Sequence, residues 1–484
     1  MKYILSIDQS TQGTKALLLD GKGKLVARKD LPHEQKINAR GWVSHDPMEI
    51  YQNTVAVARQ VIEESGIEKE NIAALGISNQ RETSLLWDKD TGLPVADAVV
   101  WQCARAAAIC ECPAIAGAAE EIRKKTGMQL SPYFPAAKIA WLLENTENLA
   151  GKKLCAGTID SWLIYKLTGN FKTDYSNASR TQLFNIHTLA WDEEICRLFG
   201  IPVEILPEVC MSDDRFGETD LEGFLPWPIP ICGVLGDSHG ALFGQGCVNP
   251  GMGKATYGTG SSVMMNIGDR PVLSDNGVVT SLAWGMGGKV AYVLEGNINY
   301  TGAVTTWIVN DVHLLDAPKE AGQIAAQADP EDGTYLVPAF TGLGAPYWNS
   351  DARAMFCGMS RTTGRAELVK AAEECIAYQI ADVVEAMNRA APTPLKELRA
   401  DGGPTRDKYL MQFQSDILHL PISIPENEEL SGMGAGYCAG IAAGLYPKDI
   451  AQRLHRSGYT PEKGQDWIDR HFGGWKQAVN MLLK

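Results

Sequence analysis

The sequence predicts an α/β protein with two domains, each built on a mixed β-sheet and facing the other across a central cleft. The chain has 484 residues, 45% of them apolar, which is more than one hydrophobic core usually holds. Strand-like and helix-like segments alternate, and tight hairpins join the first strands, which predicts mixed sheets. A strand–turn–strand pattern at residues 3–19 returns at residues 253–267 and indicates two similar halves. The predicted domains are residues 1–247 and 248–484, joined where turn residues gather around Pro250.

The first predicted element is a β-meander at the start of the chain. YILSID and KALLLD flank the polar turn QSTQGT, and a second turn leads into KLVARKDL. Asp8 ends the first strand, and the turn after it can present backbone N–H groups to an anion. Asp8 is equally compatible with an Asx-turn that only shapes the hairpin.

A helix and a buried strand follow the meander. The helix is predicted from about Pro47 to Glu64, with Asp46 as its N-terminal cap. The strand IAALGIS then ends in the polar pentad NQRET, residues 79–83. Polar residues at the end of a buried strand form a candidate site.

Four side chains are candidates for contact with a hydroxyl-bearing ligand. Arg81 and Glu82 could form a surface ion pair, but at a buried strand end they also offer donors and acceptors to hydroxyl groups. Trp101 and Tyr133 are compatible with an apolar core and equally with the wall of a sugar or polyol site.

The strand ICGVLG ends on a second aspartate, Asp237, followed by small and hydroxyl residues. Asp237 could merely cap a helix that starts at Ser238. The hairpin GKATYGTGSSVMMNI and the strand–turn–helix ELRADGGPTRDKYLMQFQSDIL add further glycine-rich turns, although any single one could be an ordinary positive-φ position. Two carboxylates near phosphate-binding turns favour phosphoryl transfer, in which one accepts a proton and the other orders magnesium.

Composition and motifs exclude several other classes of function. The formal net charge of −14 argues against binding to nucleic acid or anionic membrane. No signal sequence or transmembrane-length run is recognisable, which predicts a cytoplasmic protein. The P-loop and dinucleotide fingerprints are absent. Nucleotide chemistry without a Walker motif is what an actin-like or hexokinase-like (ribonuclease H-like) pair of domains provides.

Several blocks of the sequence resemble the FGGY family of carbohydrate kinases, and within it the glycerol kinases. YFPAAKIAWL at residues 133–142 matches one family signature, and AMFCGMSRTTGRAELVKAAEE at residues 354–374 matches another except at Glu373, where an apolar residue is usual. The other matching blocks are GWVSHDPMEI, ISNQRET, VVWQC, SNASRTQLFNIHTLAWDEE, FGQG, TYGTGS, FTGLGAPYW and LMQFQSDIL.

The resemblance implies an ATP-dependent kinase with a polyol or sugar bound mainly by the first domain and the nucleotide by the second. It implies that Asp237 is the general base and that Asp8, together with Asp237, orders Mg²⁺ through water. The positions facing the transferred phosphoryl group are Gln12, Gly13, Thr14 and Lys15. The polyol-binding positions are Arg81, Glu82, Trp101, Tyr133 and Asp237. The ATP-binding positions are Thr259, Gly260, Gly302, Gly403 and Asp407.

Three positions depart from the glycerol kinase pattern. Ser238 replaces a glutamine and Ser262 a phenylalanine, both in the acceptor pocket, and Lys15 replaces an arginine. Overall similarity favours glycerol as acceptor, whereas the two smaller side chains make a larger polyol such as erythritol, or a ketose such as xylulose, the alternative. A non-enzymatic alternative is an actin-like, nucleotide-gated binding module. The resemblance also implies a homo-oligomer, a dimer or a tetramer.

Overall fold

The computed structural model describes all 484 residues and confirms an α/β fold with two mixed sheets. In chain order the strands are β1 (Tyr3–Gln9), β2 (Gly13–Leu19), β3 (Leu25–Pro32), β4 (Lys36–Ile37), β5 (Val43–His45), β6 (Ile72–Asn79), β7 (Ser84–Asp88), β8 (Leu93–Pro94), β9 (Ala98–Val99), β10 (Leu154–Thr158), β11 (Lys172–Asp174), β12 (Phe184–Asn185), β13 (Ala190–Trp191), β14 (Glu208–Cys210), β15 (Arg215–Thr219), β16 (Ile229–Gly236), β17 (Met252–Tyr257), β18 (Ser261–Gly268), β19 (Val279–Met286), β20 (Lys289–Ile298), β21 (Tyr335–Val337), β22 (Met355–Cys357), β23 (Glu397–Asp401), β24 (Ile422–Pro425) and β25 (Arg456–Tyr459). The helices are α1 (Pro47–Ser65), α2 (Ala107–Glu111), α3 (Pro113–Gly117), α4 (Ala119–Thr126), α5 (Pro135–Asn145), α6 (Ile159–Thr168), α7 (Tyr175–Ala178), α8 (Glu193–Leu198), α9 (Asp237–Gly244), α10 (Gly302–Asn310), α11 (Ala321–Ala325), α12 (Arg365–Ala390), α13 (Lys408–Leu418), α14 (Leu430–Ala442) and α15 (Gln465–Leu482).

The two mixed sheets share one topology, and a further sheet of six strands, β10-β7-β9-β5-β4 with β8 beside β7, is antiparallel. The first has the order β15-β16-β6-β1-β2-β3, with an antiparallel β1–β2–β3 meander and parallel β1–β6 and β6–β16 pairs. The second has the order β19-β20-β18-β17-β23-β24-β25, again with antiparallel hairpins on one side and the parallel pairs β17–β23 and β23–β24 beside them. The predicted repeat of the opening hairpin is therefore present in three dimensions.

Local signals account for the early elements. The carboxylate of Asp46 accepts hydrogen bonds from the backbone N–H groups of Met48 and Glu49, at 2.8 and 3.4 Å, which confirms the predicted cap of α1. Gly66 ends the same helix in the left-handed conformation, with φ of 67°.

Helices α9 and α14 lie between the two sheets. They contribute to a cluster of 20 buried residues that also draws side chains from β1, β2 and β6 of the first sheet and from β18, β19 and β20 of the second. Glycines allow their close approach, since a Cβ on Gly434 would lie 1.9 Å from the carbonyl oxygen of Gly240. Ser6 of β1 donates a hydrogen bond to the carbonyl of Gly432 at 2.6 Å.

Helix α14 thus packs on the first sheet although it follows the boundary that the sequence predicts. The division into residues 1–247 and 248–484 stays a prediction. None of the helices is both long enough and apolar enough to cross a membrane. All eleven cysteines are free thiols.

Candidate active site

The central strands of the first sheet bring the predicted site residues together. Strands β1, β6 and β16 are neighbours and parallel, so their carboxyl ends meet at one edge. Asp8 is in register with Ser78, and Gly236 with Asn79. The two aspartates and the polar pentad therefore face the same space, as the strand ends predict.

Asp237 is the first residue of α9, and its side chain is 37% exposed. Its Oδ1 accepts hydrogen bonds from the backbone N–H of Ser238 at 2.6 Å and from Nε of Arg81 at 3.1 Å. The alternative interpretation, a cap for a helix starting at Ser238, does not fit, because α9 begins at Asp237 and Gly236 occupies the cap position. Oδ2 of Asp237 makes no hydrogen bond within the protein and is left for a ligand.

Asp8 is buried beside this carboxylate. It accepts a hydrogen bond from Oγ of Ser78 at 2.9 Å, and Nζ of Lys15 lies 3.9 Å from its other oxygen. Burial raises the pKa of Asp8 to about 6; Lys15 and Ser78 oppose this rise, and the charge of Asp237 adds to it.

The four predicted phosphate-facing residues lie in the turn after β1 and at the start of β2. Gln12 is exposed, Gly13 is half-buried, and Thr14 is buried with no hydrogen-bond partner for its hydroxyl. Lys15 donates from Nζ to Oε2 of Glu429, at the start of α14, at 2.8 Å. The Lys15 ammonium is therefore held by a carboxylate that the sequence did not indicate.

Arg81 and Glu82 are buried, and they do not pair with each other as a surface ion pair would. Both terminal nitrogens of Arg81 donate to the carboxylate of Glu295, at 2.8 and 2.9 Å, and Nη2 also reaches Oγ of Ser238 at 3.2 Å. Glu82 accepts from Nε of Arg180 at 2.6 Å and has a φ of 60°, in the left-handed region. A non-glycine residue in that region is strained, and such strain concentrates at functional sites.

Trp101 and Tyr133 form an aromatic corner next to these charges. Their rings pack edge to face, with centroids 5.7 Å apart, and both residues are half-buried rather than part of the core. Trp101 donates from Nε1 to the hydroxyl of Thr11 at 2.9 Å, which links the corner to the turn after Asp8. This placement favours a pocket wall over core packing.

Lys138, within the YFPAAKIAWL block, holds the segment that carries Tyr133. Its Nζ donates to the carbonyl of Pro132 at 2.8 Å and to that of Tyr133. Burial lowers the pKa of Lys138 from 10.5 to about 7, against the opposing charge of Glu82.

We expect this pKa to appear in the stability of the protein. Between pH 7 and pH 10 the unfolded chain binds a proton at Lys138 that the folded chain does not. The free energy of unfolding therefore increases as the pH rises through this window. The unfolding free energy of the wild type minus that of Lys138→Met, measured by urea denaturation, should therefore increase from pH 7 to pH 10. A difference independent of pH would contradict the assignment.

The predicted ATP-binding positions of the second half lie in three turns that meet. The N–H of Gly302 donates to the carbonyl of Gly258 at 2.9 Å, and that of Thr301 to the carbonyl of Thr259 at 3.0 Å. Gly402, with φ of 98°, lies so close to β17 that a Cβ would be 1.9 Å from the carbonyl oxygen of Tyr257. The structure therefore brings together Thr259, Gly260, Gly302 and Gly403.

Asp407 is placed differently from these turns. Its carboxylate caps α13, accepting from the N–H groups of Tyr409 and Leu410 at 2.8 and 3.2 Å, and it also accepts from Gly322 at 2.9 Å. The geometry is that of a capping residue.

Ser262 lies in a row of polar side chains on the face of the second sheet that meets the first domain. It is in register with Thr256 of β17 and Asn297 of β20, and its Oγ lies 3.4 Å from Nζ of the buried Lys254. Lys254 also donates to Thr256 at 3.0 Å. Ser238, on the first domain, is half-buried and faces Arg81.

Sequence reasoning missed three buried charges of this site, Arg180, Lys254 and Glu295. Each of these charges lies in a run of buried residues, and a buried charge needs a partner. A charged residue inside a segment expected to be buried is the signal that could have marked them. The partners of Arg180 and Glu295 lie far away in the chain, so the sequence does not indicate which residues they pair with, whereas Lys254 contacts Thr256 and Ser262 of its own hairpin.

The fold and the site define a class: a two-domain phosphotransferase, with carboxylates at the strand ends of one domain and glycine-rich turns at strand ends of the other. Models of the N- and C-terminal domains of the FGGY family of carbohydrate kinases match residues 3–244 and 253–443. The chain belongs to the FGGY family of carbohydrate kinases, and it is an ATP-dependent kinase.

Similar proteins carry more specific names. Glycerol kinase 1 of Thermotoga maritima is 48% identical, and the alignment covers 99% of both chains. Glycerol kinase of Bacillus velezensis is 44% identical over 99% of both chains. The crystal structure of Plasmodium falciparum glycerol kinase with ADP superposes with a TM-score of 0.94 at 35% identity, covering 100% of this chain and 99% of that one.

Proposed function

We propose that the protein transfers the γ-phosphoryl group of ATP to a primary hydroxyl of a small polyol, with glycerol as the first candidate. The observation that carries the proposal is the carboxylate of Asp237, fixed by Arg81 through one oxygen and open to the cleft through the other. The full-length similarity to two bacterial glycerol kinases supports glycerol as acceptor.

The acceptor would lie between the charged residues Arg81 and Glu82 on one side and the corner formed by Trp101 and Tyr133 on the other. Its hydroxyl proton passes to Asp237 while the hydroxyl oxygen attacks the γ-phosphorus, and the bond from phosphorus to the bridging oxygen of ADP breaks. Gln12 in the turn after β1, with Gly13 and Thr14 at the start of β2, would face the transferred group. The nucleotide would bind to the turns at Thr259, Gly302 and Gly403, whereas Asp407 would act on it only by fixing α13.

We further propose Mg²⁺ as the cofactor. Asp8 and Asp237 present carboxylate oxygens to one space, and this donor chemistry fits a hard cation that keeps most of its water ligands. When bound, magnesium would neutralise phosphate charge. The residues that would hold it are Asp8 and Asp237, through water.

The variant Asp8→Asn is expected to raise the Mg²⁺ concentration for half-maximal activity by about 10- to 100-fold, because an outer-shell carboxylate is lost. Titration of activity with MgCl₂ at saturating ATP and glycerol measures this. Asp30→Asn is a matched control, since Asp30 is exposed on β3, in register with Lys15 of β2. An unchanged magnesium requirement in Asp8→Asn would remove Asp8 from this role.

A specific observation favours longer acceptors as a second candidate class. A cavity of about 890 Å³ adjoins the site, and its walls include Tyr133, Glu295, Asn297 and Asn299. The side-chain amides of Asn297 and Asn299 make no hydrogen bond within the protein. With Ser238 and Ser262 both small, a four- or five-carbon polyol or ketose could extend toward these amides.

Release of ADP from ATP in the presence and absence of glycerol tests the proposed function. We expect ADP release that depends on glycerol, with glycerol 3-phosphate as product. Release at the same rate without any acceptor would instead support the actin-like nucleotide-gated module.

Two further properties belong to the proposal. Eleven free cysteines are compatible with the predicted cytoplasmic location, where thiols remain reduced. The homo-oligomeric state, a dimer or tetramer, rests on the resemblance and is measured directly by light scattering.

A further inference from the structure

Four buried charges form a closed ring next to the proposed acceptor site. Arg81 donates to both oxygens of Glu295 at 2.8 and 2.9 Å, Arg180 lies 2.9 Å from Glu295, and Arg180 donates to Glu82 at 2.6 Å. Glu82 follows Arg81 in the chain and closes the ring. None of the four residues is more than 6% exposed.

The ring joins the two sheets. Arg81 and Glu82 follow β6 of the first sheet, and Arg180 follows α7 in the same half of the chain, whereas Glu295 lies in β20 of the second sheet. The charges balance as two guanidinium groups and two carboxylates, so each is paired despite its burial. Burial alone would raise the pKa of Glu295, but the guanidinium groups of Arg180 and Arg81 lower it below its ordinary value, so Glu295 stays ionised.

The hydrogen bonds of Arg81 show what Glu295 does to it. A guanidinium has five N–H groups, and the contacts to Glu295, Asp237 and Ser238 use four of them. Glu295 takes two, in the bidentate geometry that fixes the plane of the group. That plane directs Nε of Arg81 to Asp237 and Nη2 to Ser238.

We infer that Glu295 is a positioning residue that couples the second domain to acceptor binding. It orients Arg81 directly and Glu82 through Arg180, and it does so only while the two domains are docked. The inference rests on the proposed function, in which Arg81 and Glu82 hold the acceptor. Because Glu295 belongs to the second sheet, which carries the nucleotide turns, acceptor and nucleotide should bind cooperatively. Such coupling is reciprocal by thermodynamic linkage.

The test uses Glu295→Gln, which keeps the shape and removes the charge, and Glu295→Asp, which keeps the charge. Asp416→Asn is the matched control, because Asp416 is a buried carboxylate of the same half whose partners are Gln412 and the backbone of residues 462 and 463. We expect Glu295→Gln to raise the KM for glycerol by about 10- to 100-fold and the KM for ATP by less than 3-fold. Glu295→Asp should recover part of the loss, and Asp416→Asn should change neither KM.

Calorimetric titration with a non-hydrolysable ATP analogue measures the coupling. Saturating glycerol should tighten analogue binding at least 5-fold in the wild type and leave it unchanged in Glu295→Gln. Equal tightening in both proteins, or equal changes in both KM values, would overturn the inference.

Amide hydrogen exchange does not require an acceptor, so it separates this inference from the proposed function. Amide hydrogen exchange in residues 79–84 should be at least about 10-fold faster in Glu295→Gln than in the wild type or Asp416→Asn, because the ring no longer holds this segment. Unchanged exchange would contradict the positioning role even if no acceptor in the panel were phosphorylated. A wild type that phosphorylates no acceptor, with faster exchange in the variant, would refute the proposed function alone.

Discussion

Replacing Asp237 by asparagine is expected to lower kcat by about 10²- to 10⁴-fold while leaving ATP affinity nearly unchanged. Asparagine can still accept hydrogen bonds from Ser238 N–H and from Nε of Arg81, so the start of α9 should remain intact. What is lost is the basic oxygen that faces the cleft. Steady-state kinetics at saturating substrates, with calorimetric binding of ATP, measures both quantities.

Asp46→Asn is the matched control for this variant, because the Asp46 carboxylate caps α1 and its other oxygen lies 3.8 Å from Nζ of Lys36. Its loss should reduce stability by about 1 kcal/mol or less and leave kcat unchanged. If Asp237→Asn retains more than a tenth of wild-type kcat, Asp237 only shapes the start of α9.

The double variant Ser238→Gln, Ser262→Phe is expected to shift kcat/KM toward glycerol and away from four- and five-carbon acceptors. The added amide and ring would fill the space next to Arg81 and Lys254, and would close the row that leads from Ser262 to Asn297. A misplacement of about 1 Å can reduce the rate about 10²-fold, so the change in relative specificity should be of that order. The measurement is kcat/KM for glycerol, erythritol, threitol and xylulose with both proteins.

Each single variant should give part of the shift, and Ser457→Gln, an exposed serine of the edge strand β25, should give none. A wild type that already prefers glycerol by orders of magnitude would refute this prediction. In that case other side chains fill the pocket that the two serines leave.

The elements that sequence reasoning placed correctly are those with local causes. The β1–β2 hairpin, the Asp46 cap of α1 and the strand–turn–strand at Met252–Gly268 depend on residues a few positions apart, and the structure has them as predicted. The convergence of Asp8, Asp237 and the pentad also followed, because parallel strands end at a common edge.

The partners of the charged residues did not follow from the sequence. Arg81 and Glu82 are adjacent, which suggests a pair, yet their partners Glu295 and Arg180 lie 214 and 98 positions away. Such pairs depend on how two sheets dock, and neither spacing nor periodicity encodes that. The packing of α14 on the first sheet escaped prediction for the same reason.

The most direct test of phosphoryl transfer to a polyol is a ³¹P NMR time course of the wild-type protein with ATP, magnesium and glycerol or a four- or five-carbon acceptor. The account predicts that a phosphomonoester on a terminal carbon grows at the rate at which the γ-phosphate signal of ATP disappears, with little inorganic phosphate. Inorganic phosphate as the main product, formed at a rate independent of every acceptor, would contradict it.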